Sequence, residues 1–322
     1  MTDGKRNFYF SFAGAPRANA EHTTMLRALG VSFAVVVVSL GLAAAEKTPS
    51  PSDENGVGNE QPSPHFSLAA GSSPDEDSAA ENQLLEAANK SRELAGLAPL
   101  RLNENLQGAA RAHARQMVAS KRLEHQLPGE PALLERIALV TAPDSALRID
   151  RAGENIANAS CALSANDVLM RSAPHRKNLL DPGFNLAGIA AVWSGGRLYV
   201  VQDFAREVPS YSAQQSRNLV SRAVDETRQQ AGLQQLVQVT APHLDEAACS
   251  LAKENRPDAH LLATAYDNRK IIAYTQSRPE VLPPGALRVL REPEVRQFAV
   301  GSCYARNAAY PTGMYWVAIL LY

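Results

Sequence analysis

Two apolar, β-branched runs, Gly188-Ile-Ala-Ala-Val-Trp193 and Arg197-Leu-Tyr-Val-Val-Gln-Asp-Phe204, are joined by Ser194-Gly195-Gly196. A short glycine-bearing link between such runs reads as a β-hairpin, which commits this part of the chain to an antiparallel pair. What precedes it is helical. Leu84, Leu85, Ala88, Arg92 and Leu94 recur at three- and four-residue spacing, and Gly96 closes the pattern. Asn103 then suits the N-cap of a second helix carrying Leu106, Ala109, Ala110, Ala114 and Met117 on one face. Helices followed by a closing antiparallel pair predict an α+β layered domain over residues 81–206.

Beyond Pro209 the pattern recurs. Arg228, Ala231-Gly232-Leu233 and Leu236 repeat Arg92, Ala95-Gly96-Leu97 and Leu100 at a constant offset of 136 positions. After two residues of slippage, Leu244, Ala247, Ala248 and Ala252 repeat Leu106, Ala109, Ala110 and Ala114. Gly301 and the run Tyr315 to Leu321 take the places of Gly188 and Leu198 to Val201. Residues 216–322 therefore read as a degenerate, shortened second copy of the first domain.

The N-terminus has another character. Residues 1–24 are polar and of mixed charge, and Arg27 leads into an apolar run within 25–45 that ends in Ala43-Ala44-Ala45. This is an export segment, cleaved as a signal peptide if the chain starts at Met25 or kept as a membrane anchor if it starts at Met1. Basic residues before it send everything after 45 outside the cytoplasm. Residues 46–80, rich in Pro, Ser, Gly, Asp and Glu, hold too few large apolar side chains to offset the entropy of ordering and are expected to form a disordered linker.

With 32 basic residues against 33 acidic ones, the charge balance gives no footprint for nucleic acid or for an anionic membrane surface. The membrane is reached only through the N-terminal segment. Cys161, Cys249 and Cys303 lack the close spacing of a zinc ribbon or a thioredoxin-like site. In an exported chain they make one disulfide and one free thiol, with Cys249 and Cys303 the expected pair because both fall in one predicted domain.

The chemistry-bearing stretch is Gly153 to Leu180. Glu154 and His175 stand there among glycine, proline and asparagine, and His125 follows the end of the second helix. Pro174 suits a first helical turn, which puts His175 at the start of a helix. These blocks, in this order and followed by the hairpin, resemble the CAP superfamily, the cysteine-rich secretory and pathogenesis-related proteins, in its short bacterial form. The resemblance implies a three-layer α-β-α sandwich whose cleft gathers two histidines and two acids. Matched by position, His125 is the first histidine, Glu154 the acid of the Gly-Glu-Asn-Ile block, and His175 the second histidine. Ser172 stands where the remaining acid would be, and Leu169 where a tryptophan usually opens that block.

Two imidazoles and one carboxylate can hold zinc or another divalent metal with water in the open position, and such water is a nucleophile near neutral pH. The missing acid removes a fourth ligand or a general base, which points to a weak, exchangeable site. The expectation is an extracytoplasmic binding module for an unidentified extracellular ligand or protein, an enzyme being the less favoured reading. The alternatives are a metal-dependent hydrolase of peptides or cell-wall material using His125, Glu154 and His175, and a structural adhesion module. In a scaffold, Glu154 would bond the backbone of its own loop, and Asn155 and Asn178 would fix that loop. His113, alone on a helix flank, reads as a solvated or hydrogen-bonded side chain.

Overall fold

The computed structural model describes residues 36–37, 75–142, 144–267 and 269–322. The expected export segment and most of the expected linker lie outside these residues. Within the former only the two-residue strand β1 (Val36–Val37) is described. No helix among the described residues is long and apolar enough to cross a membrane.

Order begins earlier than expected. Helix α1 (Ser78–Leu94) starts inside the stretch read as disordered, because Asp77 accepts from the Ala80 amide at 2.9 Å and Glu76 bridges to Val192. There follow β2 (Arg101–Leu102), α2 (Glu104–Ser120), α3 (Leu133–Val140), β3 (Ile149–Ala159), α4 (Ala162–Arg171), α5 (Ala173–Leu179), β4 (Leu186–Ser194) and β5 (Arg197–Glu207). The sheet order is β2-β4-β5-β3, so β3 forms one edge and the expected hairpin β4–β5 forms the centre. Leu84, Ala165, Leu169 and Leu179 from α1, α4 and α5 pack one face against Ile189, Val200 and Phe204. The other face meets α2 and α3 through Ala110, Met117, Leu106 and Ile137. Three layers, helix on sheet on helix, result.

The block Gly153 to Ile156, expected as loop, is the middle of β3. Its ladder with β5 runs from Ile149 to Ala159, and alternation puts Ala152, Glu154 and Ile156 on the α2–α3 face and Asn155 on the other. Gly188 sets how closely α2 can lie on the sheet. A Cβ there would come 2.1 Å from the Leu106 backbone, so only glycine permits the approach.

The second half contains α6 (Ala213–Gln230), β6 (Val237–Gln238), α7 (Leu244–Lys253), α8 (His260–Ala263), the turn Thr264–Tyr266, β7 (Lys270–Gln276), α9 (Pro284–Leu290), β8 (Gln297–Ala305) and β9 (Met314–Leu321). Its sheet order is β1-β7-β9-β8-β6, and within it β6-β8-β9-β7 repeats β2-β4-β5-β3 with the same parallel and antiparallel senses. Two details recur. Arg92 is buried and donates to the carbonyls of Ala98, Leu179, Asp181 and Phe184, while Arg228 donates to those of Gln234, Leu290 and Glu292. Gly301 lies under the Leu244 backbone as Gly188 lies under Leu106. Between β7 and β8 only α9 appears, where the first half has α4 and α5. Cys249 on α7 and Cys303 on β8 are disulfide-bonded, and Cys161 is an exposed thiol.

The halves touch through a small joint. Ser277 donates to Asp150 at 2.7 Å, the Arg148 guanidinium lies 3.9 Å above the Tyr304 ring, and Arg306 donates to the Thr141 carbonyl at the end of α3.

Candidate functional site

His125 and Glu154, separated by 29 residues in the sequence, are in contact: Nδ1 of His125 lies 2.8 Å from Oε1 of Glu154. The chain reaches this point because α2 ends at Lys121 in a left-handed conformation, which turns His125 back toward the sheet. His175 arrives from the opposite helical layer. The amide of Asn155 donates to the His175 carbonyl at 3.1 Å, and that of Asn178 donates to the Glu154 carbonyl at 3.1 Å, so α5 is tied to β3 by two asparagines rather than by a loop. Asn178 and Asn155 are also bonded to each other. The two imidazoles meet past the β3 edge with ring centroids 6.4 Å apart. Ser172 is the N-cap residue of α5 and makes no side-chain capping bond.

Behind this pair lies a buried charged cluster. Arg136, on α3, is fully buried and pairs with Oε2 of Glu154 and with Oε1 of Glu130 at 3.0 Å. His113, also fully buried, has Nδ1 at 2.7 Å from Oε1 of Glu130, and Oε2 of Glu130 accepts from the Leu127 amide. Asp203 stands directly opposite Glu154 in the β3–β5 ladder. No donor among the described residues reaches either Asp203 oxygen.

The electrostatics follow from burial and pairing. Burial, reinforced by the charge of Glu154, pushes the Asp203 carboxyl well above the usual carboxylate range. Burial also acts to raise Glu154, but Arg136 and the His125 hydrogen bond outweigh it and hold this carboxyl low. Glu130 is held low in the same way, with His113 and Arg136 outweighing its burial. Burial, then the facing His125, lowers His175, which keeps that imidazole neutral near pH 7.

Both oxygens of Glu154 are engaged, one by His125 and one by Arg136. Among the described residues no three His, Cys, Asp or Glu side chains are arranged to hold a metal ion. Glu154 orients His125: a carboxylate on Nδ1–H leaves Nε2 with its lone pair free. The chemistry available where His125 and His175 approach each other is that of two imidazoles, suited to a cation.

Sequence reasoning left out Glu130, Arg136 and Asp203. Asp203 had a signal, being the lone acid inside an apolar strand run and on the face shared with Val201 and Ala205. Glu130 and Arg136 had none, since neither lies in a periodic apolar segment that fixes its partner. His113 is hydrogen-bonded, as one of its two readings had it, and is entirely buried. Glu254 and His260 in the second half are exposed.

The second half holds the same positions without the charges. Gly188 faces Asp203, and Asp203 faces Glu154; Gly301 faces Ala318, and Ala318 faces Ala273. Counting from Leu106 and Leu244 along α2 and α7 places Leu251 where His113 stands. Leu251, Ala273 and Ala318 are all buried. This sheet-and-helix framework closes without the buried charges.

Comparison with known proteins gives the following. The family model described as "CAP: Cysteine-rich secretory protein family" matches residues 85–204. The chain is 33% identical over 129 residues to the uncharacterized protein YkwD of Bacillus subtilis (strain 168), a match covering 38% of this chain and 47% of that one. The chain thus spans about half the length of this curated relative. An extracellular protein containing an SCP domain from Bacillus anthracis str. Ames is 25% identical with a TM-score of 0.37, over 43% of this chain and 45% of that one. A cysteine-rich secretory protein from Staphylococcus aureus subsp. aureus Mu50 is 22% identical with a TM-score of 0.30, over 40% and 39%.

Proposed function

The chain carries a bacterial CAP domain of the SCP-like type, and from that premise we propose that it is an extracytoplasmic binding module whose cleft presents His125 and His175 to a cationic ligand. One observation carries this reading: the two imidazoles face each other at 6.4 Å while Glu154 is spent on orienting His125. A divalent metal such as zinc would be held by two nitrogens and completed by water or by a group of the partner, hence weakly and exchangeably. The hydrolase alternative loses its base, because a carboxylate paired with a buried arginine is a poor proton acceptor. The extracellular relatives and the apolar run before residue 46 support a location outside the cytoplasm.

The second half enters this reading as a degenerate copy without a site. The matching strand order, the two buried arginines and the two glycines under helix backbones support common descent of the halves. Its disulfide suits an oxidising compartment.

Calorimetric titration of residues 75–322 with zinc chloride tests the reading. The parent should bind one zinc, and His125→Ala and His175→Ala should each abolish binding while leaving the thermal unfolding profile in place. Equal affinity in all three proteins, or no affinity in the parent for zinc, copper or nickel, would remove the binding site proposed here.

A further inference from the structure

The charged cluster holds one group whose position opposes metal binding. We propose that Arg136 is the residue that keeps Glu154 from acting as a ligand and so restricts the cleft to a weak, two-nitrogen site; this rests on the reading of His125 and His175 given above. The Arg136 guanidinium is fully buried and reaches Glu154, Glu130 and, at 3.4 Å, the carbonyl of His125. To bond a metal, Glu154 would have to leave this guanidinium, and a buried cation stripped of one of its two carboxylates is costly. The missing acid at Ser172 is thus not what weakens the site most. The acid that is present has been withdrawn.

Helix α3 has little freedom to release it. Ile137, the next residue, is fully buried among Leu106, Ile149 and Leu186. The end of α3 is held from the other half of the molecule, where Arg306 donates to the Thr141 carbonyl. In the second half α8 takes the place of α3 in chain order, reads His-Leu-Leu-Ala and carries no arginine, and Ala273 stands where Glu154 would be. Arginine and acid occur together in one half and are absent together from the other.

The test is zinc affinity by calorimetry in the parent, Arg136→Met, Arg136→Lys and the double variant R136M/E154Q, each checked for a cooperative thermal transition. Arg136→Met should bind zinc at least about tenfold more tightly, the scale on which a changed partner of a metal ligand acts. Arg136→Lys should stay near the parent, and R136M/E154Q should lose the gain. Folded Arg136→Met with parental or weaker affinity would overturn the proposal. Should Arg136→Met fail to fold, zinc-soaked crystals of the parent decide. Glu154 still on Arg136 supports the proposal, and a Glu154 oxygen at about 2.0–2.2 Å from zinc refutes it. Adding His175→Ala to the parent separates the two claims: if it abolishes zinc binding while Arg136→Met changes nothing, the cleft reading stands and the role of Arg136 falls.

Discussion

Glu154 and Asp203 occupy directly opposed positions on β3 and β5, two acids on one face of a sheet with the buried guanidinium of Arg136 beside them. Like charges facing each other across a ladder repel. Arg136 and His125 stabilise the charged form of Glu154, while burial and that charge push Asp203 toward its protonated form.

Replacing Asp203 by Asn should therefore stabilise the protein at neutral pH. The folded-state pKa of Asp203 is raised above its unfolded value of about 3.9, so the native state holds a proton that the unfolded chain has lost. Its contribution is fully present below that value and is lost as pH rises toward the raised one. Asp203→Asn removes the loss, so its stabilising effect should be present at pH 7 and shrink toward zero near pH 4. Glu154 works in the opposite sense: its lowered pKa adds stability above about 4.3 that disappears as pH falls through the folded value. Urea unfolding of both proteins across pH 4 to 8 reads the difference.

The second half supplies a design for removing the cluster. Writing its apolar residues into the first half, as the combined variant H113L/E154A/D203A, leaves Arg136 and Glu130 paired with each other. Removing Glu154 strips the buried Arg136 of one of its two carboxylates, so the variant should lose about 3–5 kcal/mol, and adding R136M and E130Q, which exchanges the ionic groups together, should recover most of that loss. Both variants should lose zinc binding. A collapse of the cooperative unfolding transition with all the groups exchanged would mean that the charges serve the fold.

Gly188→Ala and Gly301→Ala are expected to have matching effects in the two halves. A methyl group at either position would sit 2.1 or 2.2 Å from backbone atoms of Leu106 or Leu244, which can yield only if the helix lifts from the sheet. Each should destabilise its own half, at the upper end of about 1–3 kcal/mol. Hydrogen exchange, read separately over α2 and α7, would show whether the loss is local.

Reduction should affect the second half selectively. The Cys249–Cys303 bond closes a loop with a sequence separation of 54, for which the chain-entropy account gives about 4 kcal/mol. Reductant should lower the denaturant midpoint of residues 213–321 and leave the histidine cleft unchanged. An unchanged midpoint would show that the second core holds without the bond.

The layered α+β fold was legible because its signals are local: the Ser194-Gly195-Gly196 turn between two β-branched runs, the apolar spacing of the first two helices and the cap at Asn103. The central block was less so. Gly153 to Ile156 lacks the clean alternation of a half-buried strand because Glu154 is buried with its partners and Asn155 is spent on fixing α5, and both choices serve neighbours distant in sequence. Arg136 was invisible for the same reason. A basic residue in a short helix ordinarily faces water, and nothing near position 136 announces the acids at 130 and 154 that draw it inward.

The protonation of His125 tests the central claim most directly. Nitrogen-15 correlation spectra of the histidine side chains at pH 7 should show His125 as the Nδ1–H tautomer, with Glu154 on that hydrogen and Nε2 unprotonated, and added zinc should shift the Nε2 resonances of His125 and His175 together. An Nε2–H tautomer at His125, or zinc that leaves both rings unmoved, would contradict it.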